Sequence, residues 1–119
     1  MAVAIKPVPS ADADAMAGMQ ENARSASALL RAMSNERRLL ILCQLAHGGE
    51  KSVGELEKVV GLSQSALSQH LARLRRDGLV RTRRAAQTIF YSLASGAVAA
   101  IIDTLYTLYC ASSDDGTKT

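Results

Sequence analysis

Two cysteines, Cys43 and Cys110, carry the most reactive side chains of this 119-residue sequence. A thiolate attacks sulfur and carbon electrophiles, and a pair of thiols can be oxidised to a disulfide. The sequence has no Cys-x-x-Cys pair and no evident acid–base group beside either thiol, so a thiol enzyme is not indicated. Cys43 falls in an apolar stretch, and Cys110 ends a predicted helix, where the helix dipole disfavours a thiolate. Taken alone, each fits a small buried hydrophobe better than a reactive group.

A second group of functional side chains lies opposite a leucine stripe. Leu67, Leu71 and Leu74 recur at i, i+4 and i+7, which is typical of the buried side of a helix. The opposite side carries short hydroxyl and amide groups and one cation: Gln64, Ser65, Ser68, Gln69 and Arg73. Such groups can hydrogen-bond to base edges in a DNA major groove, and a helix start capped by Ser63 suits a phosphate. The alternative is an ordinary solvated face, and His70 could either face phosphate or fill the helix flank.

Basic residues are concentrated next to this helix. Positions 50 to 84 hold eight basic and four acidic residues, whereas the whole chain has a net charge of +3. A local excess of this kind suits a polyanionic partner. Four polar residues of a predicted β-hairpin could reach the minor groove or the phosphate backbone: Arg83, Arg84, Gln87 and Thr88. The alternative is an edge strand that is protected by its charge.

The elements that must position these residues follow from capping and periodicity. A helix is predicted over 16–33, and Asn35 caps a second, strongly apolar helix. Ser52 and Glu55 form a capping box for a third helix, Gly61 ends it, and Ser63 opens the fourth. Two β-type segments, 79–83 and 88–93, flank a hairpin tip at 84–87, and a last helix runs from Ser95 to about Cys110.

This order predicts a mainly α protein with a β-hairpin wing, a winged helix-turn-helix domain over 16–111. Residues 1–15 are predicted to be a flexible N-terminal tail, and residues 112–119 are predicted to be a polar C-terminal tail. No apolar run reaches the length of a membrane helix, and no secretion signal is found. Two cysteines do not make a disulfide-stapled secreted scaffold, so we expect a cytoplasmic protein without membrane contact.

Several linked motifs resemble the ArsR/SmtB family of bacterial repressors. The stretch 33–42 (MSNERRLLIL) is similar to the opening of its second helix, and 62–75 (LSQSALSQHLARLR) to its recognition helix. Residues 78–80 and 90–93 match the strands of its wing. The contexts of Cys43 and Cys110 resemble the two-cysteine branch of the family, the BigR/SqrR/HlyU-like regulators. The resemblance covers residues from about 25 to 110.

The two apolar terminal helices, about 16–33 and 95–110, exceed what one small core needs, so we expect a homodimer that joins through these first and last helices and binds an inverted-repeat operator in double-stranded DNA. The resemblance implies a sequence-specific DNA-binding regulator. It further implies that Cys43 and Cys110 are neighbours that become linked within one subunit, in response to a reactive sulfur species or an oxidant. No cofactor and no enzymatic activity are expected.

Two alternatives remain open within the family. Metal-sensing members carry a Cys-x-Cys-like pair at the start of the helix-turn-helix, or His and carboxylate ligands on the last helix. Here the first position reads 53–57 (VGELE), and the last helix offers Asp103 without histidine. Two thiols and two distant histidines are a poor set for a closed Zn²⁺ site, so no metal is expected. The other alternative is a constitutive DNA-binding regulator whose cysteines are structural.

Overall fold

The computed structural model describes residues 13–110, which form five helices and three strands. The helices are α1 (Ala13–Met33), α2 (Glu36–Gly48), α3 (Val53–Val60), α4 (Gln64–Arg76) and α5 (Gly96–Tyr109). The strands are β1 (Lys51–Ser52), β2 (Val80–Ala85) and β3 (Thr88–Leu93). These elements divide into two compact units, one that ends at Arg31 and one that begins at Ala32.

The first unit contains α1 as far as Arg31. The helix begins at Ala13, three residues before the start that the sequence predicted. Its apolar side chains Met16, Met19 and Leu30 are exposed. The remainder of the predicted N-terminal tail and the predicted C-terminal tail lie outside the described residues.

The helices of the second unit begin at the capping residues that the sequence predicted. Asn35 Oδ1 accepts hydrogen bonds from the backbone N–H groups of Arg37 and Arg38 at 2.9 and 3.1 Å. Ser52 and Glu55 make the reciprocal bonds of a capping box at the start of α3. Ser63 and Ser95 cap α4 and α5 by accepting from N–H groups of their first turns. Each cap satisfies donors that a helix start leaves without an intrahelical partner.

The core of the second unit is aliphatic. Its largest fully buried side chains come from α2, α3, α4, α5 and the residue that precedes β2: Ile41, Leu42, Leu56, Leu67, Leu71, Leu74, Leu79, Val98 and Ile102. The leucine stripe of α4 is therefore completely buried, as its spacing predicted. Burial of that stripe turns the opposite side of α4 towards solvent.

The connection between α3 and α4 is a short turn in which Gly61 adopts the left-handed conformation, with φ 68°. At the other end of α4, Gly78 has φ 80°, and the N–H of Leu79 donates to the carbonyl of Leu74 at 2.8 Å. This is a glycine-based helix termination that also directs the chain into β2. Together with the hairpin, α3 and α4 form the winged helix-turn-helix fold that the sequence predicted.

The three strands form an antiparallel sheet in the order β1-β3-β2. The two-residue strand β1 was not predicted, because two residues are too few to show an alternating pattern. The hairpin also differs from the prediction. Strand β2 continues through Ala85, which pairs with Thr88, so the turn consists of Ala86 and Gln87 rather than 84–87. Ala86 takes a positive φ of 57°, which lets the two strands close tightly.

Candidate nucleic-acid interface and thiol site

The exposed side of α4 is a continuous polar surface. Five of the residues predicted to contact DNA are solvent-exposed at or after the start of this helix: Ser63, Gln64, Ser65, Ser68 and Gln69. Ser63 Oγ accepts a hydrogen bond from the N–H of Ala66 at 3.1 Å, which fixes the direction of the first turn. No acidic residue lies in that turn, so the positive end of the helix dipole is not neutralised there. The structure thus brings Gln64, Ser65, Ser68 and Gln69 to the exposed face of α4, with Ser63 at its N-cap.

Arg73 and His70 lie differently from these five. Arg73 Nε donates to Asp77 Oδ2 at 2.8 Å, so its guanidinium is held at the end of α4. His70 is half-buried, and its pKa is lowered by burial and by the positive charges of Arg38 and Arg37. A lowered pKa favours the neutral imidazole, which can still donate one N–H, so both roles of His70, the phosphate contact and the helix flank, stay predictions.

The wing presents polar groups at and near its turn. Arg83, Arg84, Gln87 and Thr88 are exposed, and the register pairs Arg84 with Ile89. Successive residues of a strand point to opposite faces, so Arg83 and Arg84 project from opposite sides of the sheet. Within residues 13–110, no ion pair is formed by Arg84. No carboxylate in the described part of the chain therefore neutralises its charge by direct contact.

The guanidinium of Arg83, in contrast, is already hydrogen-bonded to a carboxylate. Its Nε and Nη2 donate to the two carboxylate oxygens of Glu50 at 2.9 and 2.8 Å. The guanidinium also lies over the ring of Phe90, with the guanidinium carbon 4.9 Å from the ring centroid. The hydrogen bonds from Arg83 lower the pKa of Glu50, and the same bonds raise the pKa of Arg83. Sequence reasoning missed Glu50, because no local signal connects it to a residue 33 positions away.

The two cysteines meet at one cavity between α2 and α5. Cys43 is half-buried on α2, and Cys110 is the exposed C-cap of α5. Both line a cavity of about 200 Å³ whose other walls are formed by two leucines and two tyrosines: Leu39, Leu105, Tyr106 and Tyr109. Burial raises the pKa of the Cys43 thiol, and the nearby Cys110 raises it further. The geometry places two thiols in an apolar pocket on the side of α2 that faces the last helix.

A family model described as bacterial regulatory protein, arsR family, matches residues 35–82. The chain is also 61% identical over 92 residues to the transcriptional activator HlyU of Vibrio cholerae, an alignment covering 77% of this chain and 84% of HlyU. The chain belongs to the ArsR family. Members of this ArsR family are DNA-binding transcriptional regulators rather than enzymes.

Three further comparisons place the chain among solved and named ArsR-family proteins. It is 43% identical to the biofilm growth-associated repressor of Xylella fastidiosa, over 78% of this chain and 81% of that one. The solved structure of reduced HlyU from Vibrio cholerae has a TM-score of 0.74 at 60% identity and covers 78% of this chain and 97% of its own. A homodimeric winged helix-turn-helix domain from Mycobacterium bovis has a TM-score of 0.66 at 27% identity, with coverages of 83% and 88%.

Two structural observations on this ArsR-family chain concern possible metal ligands and possible membrane-spanning helices. Among the described residues, no three histidine, cysteine or carboxylate side chains are grouped so that they could hold a metal ion. In the same part of the chain, none of the helices has both the length and the apolar character needed to cross a bilayer.

Proposed function

We propose that this protein is a homodimeric, operator-binding repressor of the cytoplasm whose DNA affinity falls when Cys43 and Cys110 become covalently linked. The observation that carries the proposal is the shared cavity of the two thiols, which lies between α2 and α5 and leaves the exposed face of α4 untouched. The reading surface and the thiol site are therefore separate, as a switch between two ligands requires.

The reading function rests on α4 and the wing. The exposed serines and glutamines of α4 offer the donors and acceptors that distinguish base pairs in the major groove. Arg84, Gln87 and Thr88 lie at the wing, where they supply contacts to the phosphate backbone or the minor groove. Base contacts of α4 then determine the sequence, and the wing adds affinity.

The dimer follows from the apolar side chains that α1 and α5 leave exposed. They are Met16, Met19, Leu30, Tyr106, Leu108 and Tyr109. Exposed apolar surface of this extent on a small regulator marks an interface. Two copies place two α4 helices in half-sites about one DNA turn apart, roughly 34 Å. The homodimeric relative from Mycobacterium bovis supports the same assembly.

The switch is an oxidation of the two thiols by a small persulfide. One thiolate of the pair attacks the outer sulfur of RS–SH and expels RS⁻, so that cysteine becomes a persulfide. The thiolate of the other cysteine then attacks the inner sulfur of this persulfide and expels HS⁻, which leaves a disulfide. The two cysteines lose two electrons, and RS–SH is reduced to RS⁻ and HS⁻. Cytoplasmic thiols reverse the reaction by exchange, in the compartment where the operator is also found.

A link between α2 and α5 changes the spacing of the two reading helices if α5 belongs to the dimer interface. Half-site spacing is fixed by the DNA, so a small change prevents both helices from docking together. A hundredfold difference in operator affinity between the two thiol states corresponds to a coupling of about 2.7 kcal/mol.

Intact mass and operator binding, measured together, test the proposal. The operator is first selected from a random duplex library by the reduced protein. We expect a persulfide donor to convert the two thiols to one intramolecular link and to release the operator, and a dithiol reductant to restore binding. The Cys43→Ser, Cys110→Ser double variant should stay bound under the same treatment. Release by that variant, or unchanged binding of wild type with both thiols linked, would overturn the switch. Peroxide in place of the persulfide shows which oxidant class acts.

A further inference from the structure

The guanidinium of Arg83 binds a carboxylate through two N–H groups of a kind that also donate to phosphates. Nε and Nη2 donate to the two oxygens of Glu50 at 2.9 and 2.8 Å, and these two N–H groups have the spacing that carboxylates and phosphates both accept. The guanidinium carbon also lies over the ring of Phe90, 4.9 Å from its centroid, on one face of the sheet. In DNA-free protein, the charge of Arg83 is therefore matched and its side chain is oriented by a residue outside the hairpin.

The ion pair is open to exchange. The side chains of Arg83 and Glu50 are 57% and 34% exposed, so water and salt reach both groups. Exposed ion pairs are weak, and a phosphate brought close to Arg83 competes directly with the carboxylate. Arg84, on the opposite face of β2, has no such competitor among the described residues.

We propose that Glu50 is a specificity-determining residue. Its carboxylate keeps Arg83 from phosphates in non-operator complexes and gives way to a phosphate only when α4 is seated on its operator. The inference rests on the DNA binding proposed above. Sequence-independent affinity is mainly electrostatic, so each additional phosphate contact strengthens binding to all DNA equally. By pairing with one arginine of the wing, Glu50 lowers the affinity for random DNA. The contact between Arg83 and phosphate then forms only in the operator complex, where base contacts of α4 fix the position of the wing.

Salt titrations of duplex binding test this role, because a merely structural residue would not change the number of phosphate contacts. On a random duplex, we expect E50Q to steepen the slope of log affinity against log salt by about 0.9, the value for one added phosphate contact. Its affinity loss between 50 and 200 mM salt then becomes about threefold larger than that of wild type. On the operator, the slope of E50Q should equal that of wild type, so the ratio of operator to random affinity falls.

Variants of Arg83 complete a double-mutant cycle with E50Q. R83Q should flatten the operator slope by about 0.9 and leave the random slope unchanged. The E50Q, R83Q double variant should match R83Q on random DNA, because the added contact comes from Arg83. The matched control is E57Q, which removes a carboxylate of α3 that forms no ion pair among the described residues.

Two results would overturn the inference: equal random-DNA slopes for E50Q and E57Q, or a steepened slope that persists in the double variant. Either result counts against the inference only when the wild-type protein has been shown to bind the operator. A reduced wild type that binds no duplex would instead reject the proposed function, which separates the two failures.

Discussion

His47 and Tyr106 pack ring against ring, with their centroids 4.3 Å apart and their planes inclined by 46°. His47 lies one helical turn after Cys43 on α2, and Tyr106 lies one turn before Cys110 on α5. Residues four apart share a helix face, so the ring contact joins the same two helices as the thiol cavity. An aromatic contact between α2 and α5 therefore lies next to the site of the proposed link.

Removing this ring contact should destabilise the packing of α2 against α5. We expect His47→Ala or Tyr106→Leu to lower the free energy of unfolding by about 1 kcal/mol, as for a typical aromatic pair. The double variant should lose less than the sum of the two, which urea denaturation measures. Val59→Ala is the control, because Val59 is 49% exposed on α3 and lies outside both the thiol cavity and the proposed dimer surface. An equal loss in the control, or full additivity in the double variant, would argue against a direct contribution of the pair.

Side chains on the exposed face of α4 should affect the operator selectively. Gln64→Ala or Ser68→Ala is expected to cost about 1–3 kcal/mol on the operator and little on random DNA, because a base contact is lost and no charge is removed. Fluorescence anisotropy with both duplexes gives the two affinities. Thr104→Ala provides the control, since it removes a hydroxyl that bonds within α5, to the carbonyl of Ala100. Wild-type operator affinity in the α4 variants would contradict this assignment of the reading face.

Arg84 should contribute equally to the affinity for the operator and for random duplexes. Its exposed guanidinium is expected to contact phosphate, so Arg84→Ala should weaken operator and random binding together and flatten both salt slopes by about 0.9. Arg73→Ala is a useful comparison, because the Arg73 charge is matched by Asp77 in the free protein. A loss confined to the operator would show instead that Arg84 reads sequence.

The reactivity of Cys43 should depend on pH in a direction set by its surroundings. Burial and the nearby Cys110 raise its pKa, so less thiolate is present at neutral pH than in a free cysteine. The rate of alkylation by a neutral reagent should therefore still be rising above about pH 8.5, the ordinary thiol value. A raised folded-state pKa also means that the buried thiol stabilises the protein below that pH and that this contribution is lost as the pH rises further.

Mass spectrometry of alkylated Cys43 across this pH range measures the profile. In Cys110→Ser the midpoint should move to lower pH, because the second cause of the raised pKa is gone. A wild-type midpoint at or below that of a free thiol would contradict the expectation.

The helix-turn-helix could be predicted from sequence because its signals are local. The serine caps, the capping box and the leucine stripe of α4 each lie within a few residues. The hairpin turn was misplaced because Ala86 has a positive φ, a conformation that sequence normally marks with glycine or asparagine. The pairing of Glu50 with Arg83 depends on how β1 meets β3, and no periodicity encodes it.

The thiol site shows the same division between local and long-range information. The apolar context of Cys43 and the helix-end position of Cys110 described each residue separately and favoured inert side chains. Their shared cavity results from the packing of α2 on α5, which brings residues 67 positions apart to one place. Before the structure, only the family resemblance suggested that the two thiols are neighbours.

Strand β1 contributes two residues, yet it makes β3 the central strand of the sheet. Ser52 pairs with Phe90 and is at the same time the N-cap of α3, so the wing is bonded to the residue that starts the helix-turn-helix. A two-stranded hairpin alone is marginally stable in water. The wing of this protein therefore belongs to the same cooperative folding unit as α3, and amide protons of β3 should exchange with solvent through opening of that whole unit rather than by fraying of the hairpin.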